Sequence, residues 1–235
     1  MPSPVLRRRA LLASPAIISP ALAAVPAAAQ APRVDLLLVL AVDASGSIDD
    51  AEFALQREGI VEALSHSAVL AAIRSGRNGA IGVAMVEWGS PGGATTVVDW
   101  QRIADQAGAE AAAQAMLEAP RSRQAWNAIG DAVLHAAALF SAAPWTAEAR
   151  KIDVSGDGPD MRGITPAAAA RDAVVAQGIT VNALAIEAGS AWRNGRLAAA
   201  YERDVIGGAN AFVMRAEDRR DFARALRAKL VREIA

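Results

Sequence analysis

An apolar run from Val34 to Val42, broken only by Asp35, opens the patterned part of the chain. It shows no polar–apolar alternation, which marks a strand covered on both faces of a parallel sheet. Asp43-Ala44-Ser45-Gly46-Ser47 then switches to small and oxygen-bearing residues. Helical spacing begins near Asp49, which stands three residues before Glu52 as in a capping box. Phe53, Ile60, Val61 and Leu64 mark the buried face of this helix, and Asp50, Glu52, Gln56, Arg57 and Glu58 read as its wet side. Val69 to Ile73 prolongs or follows it, and Gly76 and Asn78-Gly79 end the helical region.

The same alternation of element types continues. Ala80 to Trp88 reads as a strand, Gly89-Ser90-Pro91-Gly92-Gly93 as a turn, and Thr95 to Val98 as a short edge strand closing a hairpin. Ile103 to Leu117 is Ala-rich and helical, with Pro120 beyond its end and a polar loop over 121–124. A further helix begins near Asn127, marked by Ile129, Val133, Ala136, Ala137 and Phe140. Ile152-Asp153-Val154 is a core strand running into the Gly- and Asp-rich loop Ser155 to Asp160. Pro166 opens a helix through Gln177, and Ile179 to Ile186 is a strand. Arg196 to Val205 reads as helix, Ala211 to Met214 as strand and Asp218 to Ile234 as a closing amphipathic helix. The pattern predicts an α/β domain: a doubly wound, mostly parallel sheet with one antiparallel edge strand and helices on both faces.

Composition narrows the chemistry. A chain of 235 residues, 53% hydrophobic, suffices for one sizeable core and leaves little room for two. A net charge of −1 offers no argument for nucleic acid or an anionic membrane surface. The absence of cysteine excludes disulfides, thiolate nucleophiles and zinc–thiolate sites, and two histidines, His66 and His135, exclude a multi-histidine metal site. Arg7, Arg8 and Arg9 precede an apolar, Ala-rich stretch ending near Ala27-Ala28-Ala29, the layout of a secretory signal peptide. Ala21-Leu22-Ala23 is a second cleavage candidate, and Arg8-Arg9-Ala10-Leu11-Leu12 resembles a twin-arginine signal. Pro15, Pro20 and Pro26 interrupt the stretch and argue against a membrane span. The expectation is a leader over 1–29, one domain over 30–235, a location in the periplasm or beyond, and no stable membrane insertion after cleavage.

Three loops carry oxygen donors. Asp43, Ser45 and Ser47 follow the first strand, Asn127 opens the helix start Ile129-Gly130-Asp131-Ala132, and Asp157 follows a later strand. In a doubly wound sheet the carboxyl ends of neighbouring central strands converge, and oxygens at i, i+2 and i+4 suit a hard cation. The bland alternative is that Asp43 and its serines only cap the next helix, and that Asp157-Gly158 is a plain turn. Asp131 reads as a solvent-facing residue favoured by the helix dipole. Asp153 has two readings, buried and paired or near the site at a sheet face. His66 and His135 read as ordinary helix residues. Trp88, Trp100 and Trp126 read as packing residues, with the rim of the crevice as the alternative. No nucleophile elbow, Walker loop or dinucleotide fingerprint is present, so the chain reads as a non-enzyme; a metal-dependent hydrolase using Asp43 and Asp157 is the enzymatic alternative.

Asp-x-Ser-x-Ser after a hydrophobic strand, an Ile-Gly-Asp-Ala helix start and a later Asp-Gly resemble a von Willebrand factor A domain. The stretches 55–59, 86–88, 152–159 and 205–208 look closer still to a bacterial group of A-domain-like proteins, domain of unknown function 1194, over Val34 to Ala235. The resemblance implies a metal-ion-dependent adhesion site. Ser45 and Ser47 would bind the cation directly, Asp43 directly or through water, and Asp157 would complete the site. Asn127 stands where the A-domain pattern has a threonine ligand; its amide oxygen also suits a hard cation. The cation would be divalent, Mg²⁺ first, with Mn²⁺ or Ca²⁺ as alternatives. The partner would be a protein or another carboxylate-bearing ligand, and a degenerate scaffold without functional metal is the remaining alternative.

Overall fold

The computed structural model describes residues 1, 31–187, 192 and 194–235, so the expected leader lies, apart from Met1, outside the described residues. The elements run β1 (Arg33–Asp43), α1 (Asp50–Ser65), α2 (Ser67–Ser75), β2 (Ile81–Trp88), β3 (Thr95–Ile103), α3 (Gln106–Glu118) and α4 (Ile129–Leu139). They continue with β4 (Thr146–Gly156), α5 (Ala167–Val175), β5 (Thr180–Ile186), α6 (Arg196–Asp204), β6 (Val213–Ala216) and α7 (Phe222–Ile234). The sheet order is β3-β2-β1-β4-β5-β6, parallel throughout except for β3, which lies antiparallel at the edge beside β2.

β1 shows why its sequence lacks alternation. Leu37, Val39 and Ala41 pack on one face with residues of α4, α5 and α6. Leu36, Leu38, Leu40 and Val42 pack on the other with residues of α1, α2, α3 and α7. Helices therefore cover both faces, and every central position of β1 must be apolar. β1 is also where the chain reverses direction across the sheet, with β2 on one side and β4 on the other. Its carboxyl end borders the crevice where such sheets bind ligands.

Several boundaries differ from the sequence reading. β3 runs on to Ile103, because an edge strand leaves one face wet and accommodates Asp99, Gln101 and Arg102. α3 consequently starts at Gln106, with the Asp105 carboxylate accepting from the Gly108 amide. β4 begins at Thr146 rather than Ile152; its first half pairs with β1 yet is only partly buried, so it carries no apolar run. β6 and α7 start at Val213 and Phe222, later than Ala211 and Asp218. The Val69–Ile73 segment belongs to a separate helix, begun where the His66 ring nitrogen caps Ala68. The capping box of Asp49 and Glu52 forms as expected. Asp153 is buried and paired: its carboxylate lies 2.7 Å from the buried Lys229 of α7, which also binds Glu233 at 2.6 Å.

Candidate metal centre

Asp43 ends β1, fully buried, and three neighbours fix its backbone and side chain. The Ala44 amide donates to the Trp88 carbonyl, the Gln56 side chain donates to the Asp43 carbonyl, and the Asp43 carboxylate accepts from the Ser45 amide at 2.8 Å. That last bond is an Asx turn, the local geometry that aims the following hydroxyls. Ser45 Oγ and Ser47 Oγ are 3.0 Å apart, and Ser47 Oγ lies 3.4 Å from both carboxylate oxygens of Asp157. Asp157 follows β4, and its amide donates to the second Asp43 oxygen at 3.4 Å. Two loops more than a hundred residues apart thus bring four oxygen-bearing side chains together. Burial, and then the nearby Asp157 charge, push the Asp43 carboxyl up to about 7 against the opposing hydrogen bonds from Ser45 and Asp157.

Asn127 arrives on the loop before α4. Its backbone carbonyl accepts from the Met161 amide at 2.7 Å, tying this loop to the Asp157 loop. Its side-chain amide packs against Gly158, where an added Cβ would stand 2.3 Å from Nδ2 and displace the amide. Its Oδ1 is buried and accepts no hydrogen bond among the described residues. A buried acceptor left unpaired costs about 1–3 kcal/mol, and a cation is a partner it could take. Tyr201, fully buried beneath Gly156, donates its hydroxyl to the Gly158 carbonyl. Burial and the charges of Asp43, Asp157 and Asp160 push the Tyr201 pKa up, so the hydroxyl remains a donor.

Asp131 does not face solvent, contrary to the sequence reading. Its carboxylate accepts the amides of Gly92, Ile164 and Thr165, and these bonds hold its pKa down despite partial burial. It ties the first turn of α4 to two loops. Asp160, not singled out from sequence, accepts from the Ile129, Gly130 and Ala167 amides and so caps α4 and α5 together. Gly130 allows that crossing: a Cβ there would lie 2.0 Å from the Thr165 carbonyl.

A second correction concerns α1. Gln56 and Arg57 are buried, not wet. Arg57 pairs with the buried Glu87 of β2 at 2.5 Å, and the other Glu87 oxygen accepts from the Ser122 amide. Stretches 55–59 and 86–88 are therefore joined by a buried ion pair, one residue along α1 from the Gln56 side chain that holds the Asp43 carbonyl. Arg219, on the loop after β6, was not distinguished by sequence, since it stands within the charged run Glu217 to Asp221. It is nearly buried and its guanidinium donates to Asp157 at 2.6 Å, while Glu52 lies 2.8 Å away. A protein cation thus occupies one oxygen of the candidate ligand Asp157.

Of the three tryptophans, Trp88 is buried beside Gly156 and Trp100 packs against Phe140, while Trp126 is exposed next to Asn127. His135 exchanges a hydrogen bond with Thr96 and lies away from the donor cluster. A concavity of about 270 Å³ lined by Arg33, Arg77, Asn78 and Glu148 holds none of the donors. Among the described residues no three His, Cys, Asp or Glu side chains cluster as a metal group; the candidate set relies on two carboxylates, two hydroxyls and an amide. No described helix is long and apolar enough to cross a membrane.

This sheet order, with its switch-point loops, is a doubly wound fold of the kind seen in von Willebrand factor A domains. The chain belongs to the family described as Protein of unknown function (DUF1194), whose profile matches residues 33–235. Among curated proteins none matches. Solved structures with the same fold include proximal thread matrix protein 1 from the mussel byssus, with a zinc-occupied MIDAS motif (TM-score 0.64, 18% identity, covering 88% of this chain and 49% of that one). Another is a von Willebrand factor type A protein from Catenulispora acidiphila (0.57, 19%, 86% and 43%). A third is the vWF domain of the type V pili tip protein Mfa5 from Porphyromonas gingivalis (0.56, 12%, 86% and 95%). The chain spans less than half the length of the first two. At these identities the likeness establishes the fold.

Proposed function

We propose that this chain is an exported, divalent-cation-dependent binding module rather than an enzyme. Asp43, Ser45, Ser47, Asn127 and Asp157 would hold the cation, and a carboxylate of a protein or other acidic partner would take a remaining position. The observation that carries this reading is the meeting of Asp43 and Asp157 beside two hydroxyls at a buried strand end, where the repulsion between the two carboxylates would be relieved by a bound cation. The unpaired Asn127 oxygen and the zinc-occupied MIDAS motif of the byssal protein support it. Oxygen-only donors favour Mg²⁺, with Mn²⁺ and Ca²⁺ as alternatives. A directional, electrophilic ion of this kind would give the partner's carboxylate both affinity and orientation. Both histidines are engaged elsewhere, His66 with the Ala68 amide and His135 with Thr96.

Calorimetric titration of the purified chain with Mg²⁺, Mn²⁺ and Ca²⁺ tests the reading. Saturable binding that disappears in Asp43→Ala is the expected outcome; absence of binding by the wild type would sink it. A second reading is favoured by Arg219: the guanidinium on Asp157 would be the resident cation of a degenerate site. In that case Arg219→Gln would gain metal binding that the wild type lacks. Export rests on residues 1–29, and N-terminal sequencing of the protein from a periplasmic fraction should find the chain beginning after Ala29 or Ala23.

A further inference from the structure

Beside the candidate metal centre, three large apolar side chains face outward from two adjoining loops: Trp126 is 43% exposed, Met161 44% and Ile164 76%. The loops are not loose. Trp126 directly precedes Asn127, and Met161 bridges to Asn127 through its amide. The Ile164 amide donates to the Asp131 carboxylate, and its side chain overlies Gly92, where a Cβ would stand 3.2 Å away. Arg162 stands between them with φ of 61°, a left-handed conformation that costs a non-glycine residue about 1–2 kcal/mol. Its guanidinium carbon lies 4.2 Å from the centre of the Trp126 ring. Exposed Trp, Met and Arg on a fixed framework are the residue types that dominate binding surfaces.

The charge of this surface is one-sided. The Asp131 and Asp160 carboxylates are consumed by three backbone amides each, and Asp157 is taken by Arg219. The turn over 89–94 carries no charge, and Arg121 is paired with Asp50. Among the described residues Arg123 and Arg162, both exposed, make no ion pair. What faces solvent is a set of apolar side chains with the Arg162 guanidinium among them.

We infer that Trp126, Met161, Arg162 and Ile164 form a subsite for an acidic polypeptide segment. An apolar side chain of that segment lies on the Trp126–Met161–Ile164 strip, and a carboxylate pairs with Arg162. This deepens the cation-binding reading and rests on it for the segment's metal-bound carboxylate. Because Arg162 is already held over the Trp126 ring, little side-chain freedom is lost when a carboxylate reaches it.

The test is selection from a random-peptide display library on the purified chain in Mg²⁺, followed by fluorescence anisotropy of the enriched peptides. Enriched peptides should place Asp or Glu beside Leu, Ile, Phe or Met. They should bind Trp126→Ser, Ile164→Ser and Arg162→Ala about tenfold more weakly, while calorimetry shows the Mg²⁺ affinity of these variants unchanged, which also establishes that they fold. No enrichment, enrichment without that composition, or equal affinity for the loop variants would overturn the subsite. Peptides that ignore chelator and Asp43→Ala yet are lost in Trp126→Ser would leave the subsite standing and remove the cation. Sedimentation showing a dimer that Trp126→Ser dissolves would assign the surface to a second copy of the chain and overturn the acidic-segment proposal.

Discussion

Two residues at the centre pull in opposite directions. Asn127 offers a buried oxygen that nothing among the described residues satisfies, whereas Arg219 satisfies an oxygen that a cation would need. Both are nearly silent in the sequence. Asn127 is visible only because a motif position is expected there, and Arg219 is hidden in a run of surface-like charges. A carboxylate shared between guanidinium and metal couples the two negatively. Arg219→Gln should therefore tighten Mg²⁺ or Mn²⁺ binding about tenfold, within the usual range of coupling energies; calorimetry on both proteins checks it, and weaker binding in the variant would show that Arg219 supports the site instead. Gln56 and Arg57 show another limit: helical periodicity assigns them to the wet side, yet the Asp43 carbonyl and the Glu87 carboxylate draw them inward. A polar side chain is buried when a partner waits for it, and the partner is distant in sequence.

At the scale of elements, legibility follows burial. β1 reads correctly because both faces are covered, and its loop residues Asp43 to Ser47 are legible by the abrupt change in chemistry at its end. β3 and the first half of β4 read poorly because one face is wet or partly covered, so hydrogen bonding rather than apolar pattern defines them. The start of α4 is held by groups from other loops: it has no side-chain cap of its own, and Asp160 supplies one. Close packing there makes Gly130 sensitive. Gly130→Ala should destabilise the domain by about 1–3 kcal/mol, because its methyl group meets the Thr165 carbonyl. Urea unfolding measures this, and a variant within about 0.5 kcal/mol of wild type would mean that the Asp131–Thr165 loop shifts freely.

For the whole molecule, the doubly wound sheet brings Asp43 and Asp157 together and leaves a second charged cluster in the core. Burial, and then the charge of Glu233, raise the Asp153 carboxyl to about 7, with Lys229 opposing. A carboxyl raised above its unfolded value of 3.8 contributes stability that is complete below that value and lost as pH rises through about 7. Thermal melts in chelator should therefore show the wild type losing stability between about pH 4 and 7 more steeply than Asp153→Asn; parallel curves would contradict the assignment. Asp43 shifts in the same direction but is common to both proteins, so the difference between the two curves isolates Asp153. The most direct test of the central claim counts Mn²⁺ bound per chain from the paramagnetic resonance of the free ion. The expected result is a single Mn²⁺ per wild-type chain, displaced by Mg²⁺ and lost in Asp43→Ala. No bound Mn²⁺, or binding that Asp43→Ala leaves intact, would contradict a cation held between Asp43, Ser45, Ser47, Asn127 and Asp157.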